Sequence, residues 1–227
     1  MQQLTTKAII LRRTNYNEAD RIISLLSPDY GKLQVMAKGV RRQKSKLAGG
    51  IELFSVSEIQ FIKGKRTIDT LVSTRLITYY DHIVQDYDRT QRAYDALKII
   101  QKITEDKGGS EYFAVLDETL QALNQPQLPT ILSELSFLVR LLNQFGHLPD
   151  FTTDVAGAKL DQAHRYHFDH DQVAFVRHPQ GDFDKNHIKV LKLLAHNSPW
   201  SLRSVGGIAN YCQPLLPIIR SHSQYYM

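Results

Sequence analysis

Lys38, Arg41, Arg42, Lys44 and Lys46 put five cations into nine residues with no carboxylate among them. They sit in the run AKGVRRQKSKLAGG, residues 37–50, which has Gly39 near its start and Gly49 and Gly50 at its end. Like charges this close repel one another. A polyanion relieves that repulsion, and a nucleic-acid backbone does so with release of its condensed counterions. Contacts of this kind hold a strand in place without reading its bases. Lys63, Lys65 and Arg66, in the next polar turn KGKR, are expected to extend the track. Tyr16, Tyr30, Phe54 and Phe61 are the candidate platforms on which bases could stack. The plain alternative is a basic surface that serves only solubility.

Other chemistry is poorly supplied. A phosphate-cradling P-loop needs G-x-x-x-x-G-K-[ST]. Gly64-Lys65 has Ile59 where the first glycine belongs and Arg66 where the hydroxyl belongs. Cys212 is a lone cysteine and reads as a small buried hydrophobe. His164, His167, His170 and His178 share a polar stretch, but HRYHFDHDQVAF looks like strand, which throws alternate side chains to opposite faces. No acid–base pair or nucleophilic triad stands out, so a binding protein is expected rather than an enzyme, with no cofactor.

Positioning the basic run requires a scaffold. Residues 7–13, 21–27, 33–38, 54–64 and 68–77 read as five strands, with a hairpin over 21–38 turned at SPDYGK. Phe54 and Val56 are out of phase with Ile59 and Phe61, which predicts a bulge in the fourth strand. Five short strands suit a small closed barrel, and the basic run becomes the loop between the third and fourth. The hydrophobic period then lengthens. Asp88 is a candidate N-cap for a helix carrying Ala93, Leu97, Ile100 and Ile103, and Ser110 for one carrying Phe113, Leu116, Leu120 and Leu123. A third helix follows Pro129 and stops at Gly146, and a fourth begins at Asp184. Pro199, Pro214 and Pro217 predict a last helix that is short or starts at a proline. Residues 147–183 read as an irregular insert. The fold class is α+β, with a barrel domain over 1–80 and a helical domain over 81–227.

Charge follows the same division. Residues 1–80 hold 14 Lys and Arg against 6 Asp and Glu, whereas 81–227 hold 14 against 17. A polyanion partner for the first part follows. No apolar run reaches the roughly 18 residues of a membrane span. The start, MQQLTTKAII, lacks the pattern of a signal peptide. With one cysteine, a reducing, cytoplasmic setting is expected.

The segments LRRTNYNEADRIISLLSPDYGKLQVMAKGVRRQKSKLAGGIELFS (11–55), DTLVSTRLI (69–77) and LVRLLNQFGHLPDF (138–151) resemble the RecO family of bacterial recombination mediators. The resemblance implies an OB-fold barrel followed by an α-helical domain. It also implies binding of single- and double-stranded DNA, strand annealing, and loading of RecA onto DNA coated with single-strand-binding protein, in a nucleoid-associated setting. RecR and the acidic C-terminal tail of single-strand-binding protein are the implied partners, the tail going to the helical domain, where Arg140 is the candidate contact. Lys38, Arg41, Arg42, Lys44 and Lys46 become the implied DNA contacts. Many relatives carry a four-cysteine zinc site after G-x-x-P-D, here GHLPD (146–150). Its cysteines would fall on Asp154 and Gly157 and near Phe175 and His178, so the insert is expected to hold together without zinc. The competing reading is a non-enzymatic adaptor whose barrel binds a protein. An enzyme with unrecognised residues is the third.

Overall fold

The computed structural model describes residues 3–64, 68–105 and 108–227. The chain forms two compact units, Met1–Asn124 and Gln125–Met227. The first contains five strands, β1 (Gln3–Tyr16), β2 (Asp20–Ser27), β3 (Gly31–Ala37), β4 (Ser55–Ile62) and β5 (Asp69–Tyr79). They close in the order β1-β2-β3-β5-β4, with β4 returning to β1. All pairings are antiparallel except the short parallel one of Val35 and Met36 with Asp69 and Thr70. This is the five-stranded OB barrel. Alternation along each strand fills it: Ala8 and Ile10, Ile23 and Leu25, Leu33 and Val35, and Ile59 and Phe61 all point inward.

The expected irregularity of β4 is present as register shifts against β5 at Val56/Ser57 and Gln60/Phe61. Its physical origin is burial on both faces. Ile59 and Phe61 face the barrel core, while Phe54 and Val56 are also buried but lie outside that cluster. Phe54 packs edge-on against Tyr94 at 4.9 Å.

Tyr94 belongs to α2 (Tyr87–Ile103), which follows the short α1 (Asp81–Gln85) and precedes α3 (Tyr112–Leu123). The N-cap of α2 is Asp86, not Asp88: Asp86 has extended backbone and its carboxylate accepts the Arg89 N–H at 2.8 Å. Asp88 lies in the first turn and pairs with Arg92. Nor does Ser110 cap α3, whose N-cap is Glu111 with no side-chain bond. The last turn of α2 is tied to the barrel by Lys32, whose ammonium donates to the Gln101 and Thr104 carbonyls. A cation there satisfies orphan carbonyls and complements the helix dipole. Tyr80 is buried and donates to Asp117 at 2.6 Å; burial, then this carboxylate, push its phenol well above the ordinary range.

The second unit contains α4 (Thr130–Gln144), β6 (Tyr166–Asp169), β7 (Ala174–Arg177), α5 (Lys185–His196) and α6 (Ile208–Gln224). Helix α4 is buried around most of its surface, with α5 and α6 packed on it. It ends as expected at Gly146, where φ is +74°. The His147 and Gly146 N–H groups bond the Leu142 and Asn143 carbonyls, the Schellman arrangement. Asp184 caps α5 in a capping box with His187. Helix α6 corrects the expectation of a short proline-started helix: it runs for 17 residues with Pro214 and Pro217 inside. Each interior proline costs about 3 kcal/mol. Burial of Cys212, Leu215, Leu216 and Ile219 on one face offsets it. Burial also pushes the Cys212 thiol up to about 12, so it stays protonated.

Helix α6 also buries His222, which is 1% exposed. Its Nε2 lies 3.0 Å from the His147 carbonyl, and its Nδ1 has no partner among the described residues. His170, Phe168 and Tyr226 surround the ring. Burial holds the His222 pKa below its ordinary 6.5 against the opposing His147 bond, and the nearby His170 and His147 add to the lowering. The unfolded chain therefore binds a proton at a higher pH than the folded one. Stability contributed by neutral His222 is complete above about pH 7.5 and is lost as pH falls through 6.5 and below. Urea midpoints measured from neutral to mildly acidic pH should fall, and a His222→Gln variant should flatten that fall. An equal fall in the variant would assign it to other groups.

Candidate nucleic-acid interface

The chain between β3 and β4 is pinned at both ends. Gly39 turns it with φ +64°, and its N–H donates to the Asp20 carboxylate at 2.7 Å. The Arg41 N–H donates to the Ala19 carbonyl at 2.9 Å, and Val40 enters the barrel core. Turns follow at Arg42→Gly39 and Ser45→Arg42. At the far end the Thr74 hydroxyl donates to the Leu47 carbonyl at 3.2 Å and Ile51 returns to the core. Gly50 lies so close to Thr74 that a Cβ there would overlap it.

With the backbone fixed, the cations point away. Lys38, Arg41, Arg42, Lys44 and Lys46 are all exposed. Among the described residues none of the five forms an ion pair. The Arg41 guanidinium donates to the Asn17 carbonyl at 3.3 Å. The arrangement presents fixed backbone with exposed positive charge, which suits phosphates in any register.

The other sequence candidates divide. Lys63 is exposed, but it lies 6.0 Å over the Tyr30 ring, at the start of β3, whereas the basic loop leaves the opposite end of that strand. Lys63 and the basic loop therefore lie at opposite ends of β3. Lys65 and Arg66 lie outside the described residues. Tyr16 is 45% exposed beside the loop anchor, and Tyr30 is half-buried against Phe61. Phe54 and Phe61 are buried, so neither can serve as a platform. Phe61 follows the inward phase of β4, and Phe54 is held beneath Tyr94. The alternation of β4 carries the signal for Phe61 in the sequence. Arg12, Arg13 and Arg21, absent from the sequence candidates, flank the β1–β2 turn.

In the second unit, Arg140 is half-buried on α4. It does not line the groove of about 440 Å³ formed by Phe151, Leu160, Ile188 and Leu193, whose rim carries Lys185, Lys189 and Lys192. The insert is not irregular: β6 and β7 form a hairpin, and Thr153 bridges Lys159. The positions expected from zinc-bearing relatives do not fit a metal. Gly157 and Phe175 offer no ligating side-chain atom. The Asp154 carboxylate, 3% exposed, is taken up by the Ala156 and Ala158 N–H groups and by Arg177 at 2.8 Å. His164 and His167 pair with Asp161 and Asp182, and His170 turns toward Phe168 and His222. No group of metal-ligating side chains converges among the described residues.

Residues 1–80 match a family model described as "Recombination protein O N terminal", and residues 84–226 match "Recombination protein O C terminal". The chain belongs to the RecO family. This RecO chain is 36% identical over 146 residues to a DNA repair protein RecO from Dehalococcoides mccartyi (strain CBDB1), covering 64% of the chain and 57% of that protein. It is 31% identical over 160 residues to one from Roseiflexus sp. (strain RS-1), covering 70% and 56%. Similarity to one from Thermoanaerobacter sp. (strain X514) is 29% over 162 residues, covering 71% and 65%. The matched part of the RecO chain thus spans between half and two thirds of these relatives' length. No helix among its described residues is long and apolar enough to cross a membrane.

Proposed function

We propose that this chain is a non-enzymatic DNA repair and recombination mediator. It binds single- and double-stranded DNA through Lys38, Arg41, Arg42, Lys44 and Lys46, anneals complementary strands, and helps load RecA onto DNA coated with single-strand-binding protein. RecR is a partner in this reading. One observation carries it: five exposed cations without ion-pair partners among the described residues, on a loop whose backbone is fastened to an OB barrel. Family membership supports the same reading. Lys63, Lys65 and Arg66 are proposed as a secondary contact region, because Lys63 stands apart from the loop.

The acidic tail of single-strand-binding protein is proposed to dock on the second unit. The Phe151–Leu160 groove, apolar at its floor and rimmed by Lys189 and Lys192, supports this more than Arg140 does. Annealing of complementary strands coated with single-strand-binding protein tests both parts. Annealing should be fast with the intact coat and slow when the coat lacks its acidic tail. A Lys189→Glu/Lys192→Glu variant should be slow with either coat yet normal on bare strands. Equal rates in every arm would remove tail capture from the mechanism.

One observation favours the adaptor alternative. Leu76, Ile77 and Tyr79 on β5 are each about 40% exposed, an apolar strip suited to a protein. DNA affinity that is weak and insensitive to salt would favour that alternative.

A further inference from the structure

A cleft of about 680 Å³ opens on the outside of the barrel, where α2 packs on β1. Its size is that of a small-molecule site. The floor is apolar: Leu11, Leu53 and Leu97, with Tyr94 beside them. Tyr94 is held edge-on by Phe54 and remains 39% exposed. The rim is basic. Arg12, Arg13 and Arg21 come from the barrel, and Lys98 and Lys102 from α2. Among the described residues no carboxylate lines the cleft. Arg13 has a partner in Glu52 at 2.7 Å, and Lys98 has a loose one in Asp95 at 3.8 Å. Arg12, Arg21 and Lys102 form no ion pair among the described residues, and Arg21 donates to the Asn15 amide oxygen at 3.0 Å.

The cleft is continuous with the basic loop. Arg21 pairs across the sheet with Ala37, next to Lys38. The loop's anchoring bonds land on Asn17, Ala19 and Asp20, inside the turn that joins Asn15 to Arg21. Loop cations and cleft cations therefore flank one β1–β2 turn. An anionic chain held by the loop meets, on the other side of that turn, a rim of further cations around an apolar floor with an aromatic ring. Alternating charge sites and a flat apolar slot match a polynucleotide, whose phosphates and bases alternate in the same way.

We propose that this cleft receives an unstacked base of single-stranded DNA whose backbone is held by the loop. The base lies against Tyr94 and the leucine floor, the guanidiniums of Arg12 and Arg21 border it, and Lys98 and Lys102 take the phosphates that follow. The proposal rests on the loop being the DNA contact. It adds a division of labour. The loop meets backbone and serves single and double strands alike, whereas the cleft serves only a strand whose bases are free to leave the stack.

The test compares Tyr94→Ala, Tyr94→Phe and Lys98→Ala/Lys102→Ala with the unaltered chain, on a thymidine oligonucleotide and on a duplex of equal length at one salt concentration. All three positions are exposed, and duplex affinity reports on folding. Tyr94→Ala should weaken single-strand binding by about tenfold and duplex binding by less than about twofold, and Tyr94→Phe should behave as the unaltered chain. The double lysine variant should weaken single-strand binding by a similar factor. A 2-aminopurine placed in the strand should be quenched on binding, less so with Tyr94→Ala. Single-strand affinity unchanged in both alanine variants overturns the proposal. So does loss of poly-glutamate binding in those variants with DNA binding intact, which would make the cleft a peptide site. The loop variant Arg41→Ala/Arg42→Ala/Lys44→Ala separates the two readings. If it loses both DNA forms while the cleft variants lose neither, only the cleft assignment fails. If it loses neither form, the loop reading fails with it.

Discussion

Replacing Arg41, Arg42 and Lys44 together by alanine should flatten the salt dependence of single-stranded DNA binding. Each phosphate contact on a single strand contributes about 0.7 to the slope of log affinity against log salt, so three lost contacts lower it by about 2. At about 50 mM salt the same loss corresponds to roughly 500-fold weaker binding. Near physiological salt the gap narrows, because there the counterions released are worth less. The structure favours a clean result. The three side chains are exposed and unpaired with carboxylates among the described residues, so their removal breaks no ion pair and costs the loop the Arg41 guanidinium's bond to the Asn17 carbonyl. The backbone anchors at Gly39, Val40 and Leu47 are untouched. Arg41→Lys/Arg42→Lys, which keeps the charge, should keep the slope. Oligonucleotides of different base order should bind within a few-fold of one another, since backbone contacts carry no sequence information. A triple variant with the original slope would take the loop out of the interface.

Replacing Asp154 by alanine should destabilise the second unit by about 2–4 kcal/mol. The carboxylate is nearly enclosed and holds two backbone N–H groups and the Arg177 guanidinium at once. Its loss strands the Ala156 and Ala158 N–H groups, while Arg177 keeps Asp161 at 3.6 Å and the Lys159 carbonyl at 2.9 Å. Arg177 is 35% exposed and recovers some solvent, which keeps the figure below that of a fully buried pair. Urea unfolding reads the loss, and hydrogen exchange should place its largest effect at Val155 and Gly157, whose N–H groups bond Phe175 and Asp154. Arg177→Met, which fills similar volume, should cost less than Asp154→Ala because it leaves the carboxylate its two N–H donors. The same geometry predicts that purified protein carries no stoichiometric zinc. A near-equimolar zinc content, or an Asp154→Ala variant of unchanged stability, would refute the view that this pair organises the insert.

Some of this was legible in the residue order. The β1–β5 strand positions, the bulge in β4, Gly146 as a helix stop and Asp184 as a cap all follow from local rules: alternation, a positive φ, a short side chain that reaches a free N–H. The basic loop was legible because its charge is dense and contiguous. Local rules failed where packing outweighed them. Helix α6 continues through Pro214 and Pro217 because its apolar face is buried, a gain no window of sequence displays. Asp86 caps α2 in place of Asp88 because two acids close together satisfy the same sequence pattern, and only backbone geometry chooses between them.

By itself, then, the sequence determined the family, the order of strands and helices, and a dense run of cations between the third and fourth strands. Tertiary structure decided what those cations have beside them. Barrel closure carried Lys63 away to the start of β3, and the chain reversal at Asn17–Asp20 brought Arg21 alongside the loop. It also turned Asp154 and Arg177, 23 residues apart, into the anchor of the insert. The reason is the same in each case. Electrostatics and burial depend on distance through space, and the spacing of residues along a chain sets that distance only within a single element.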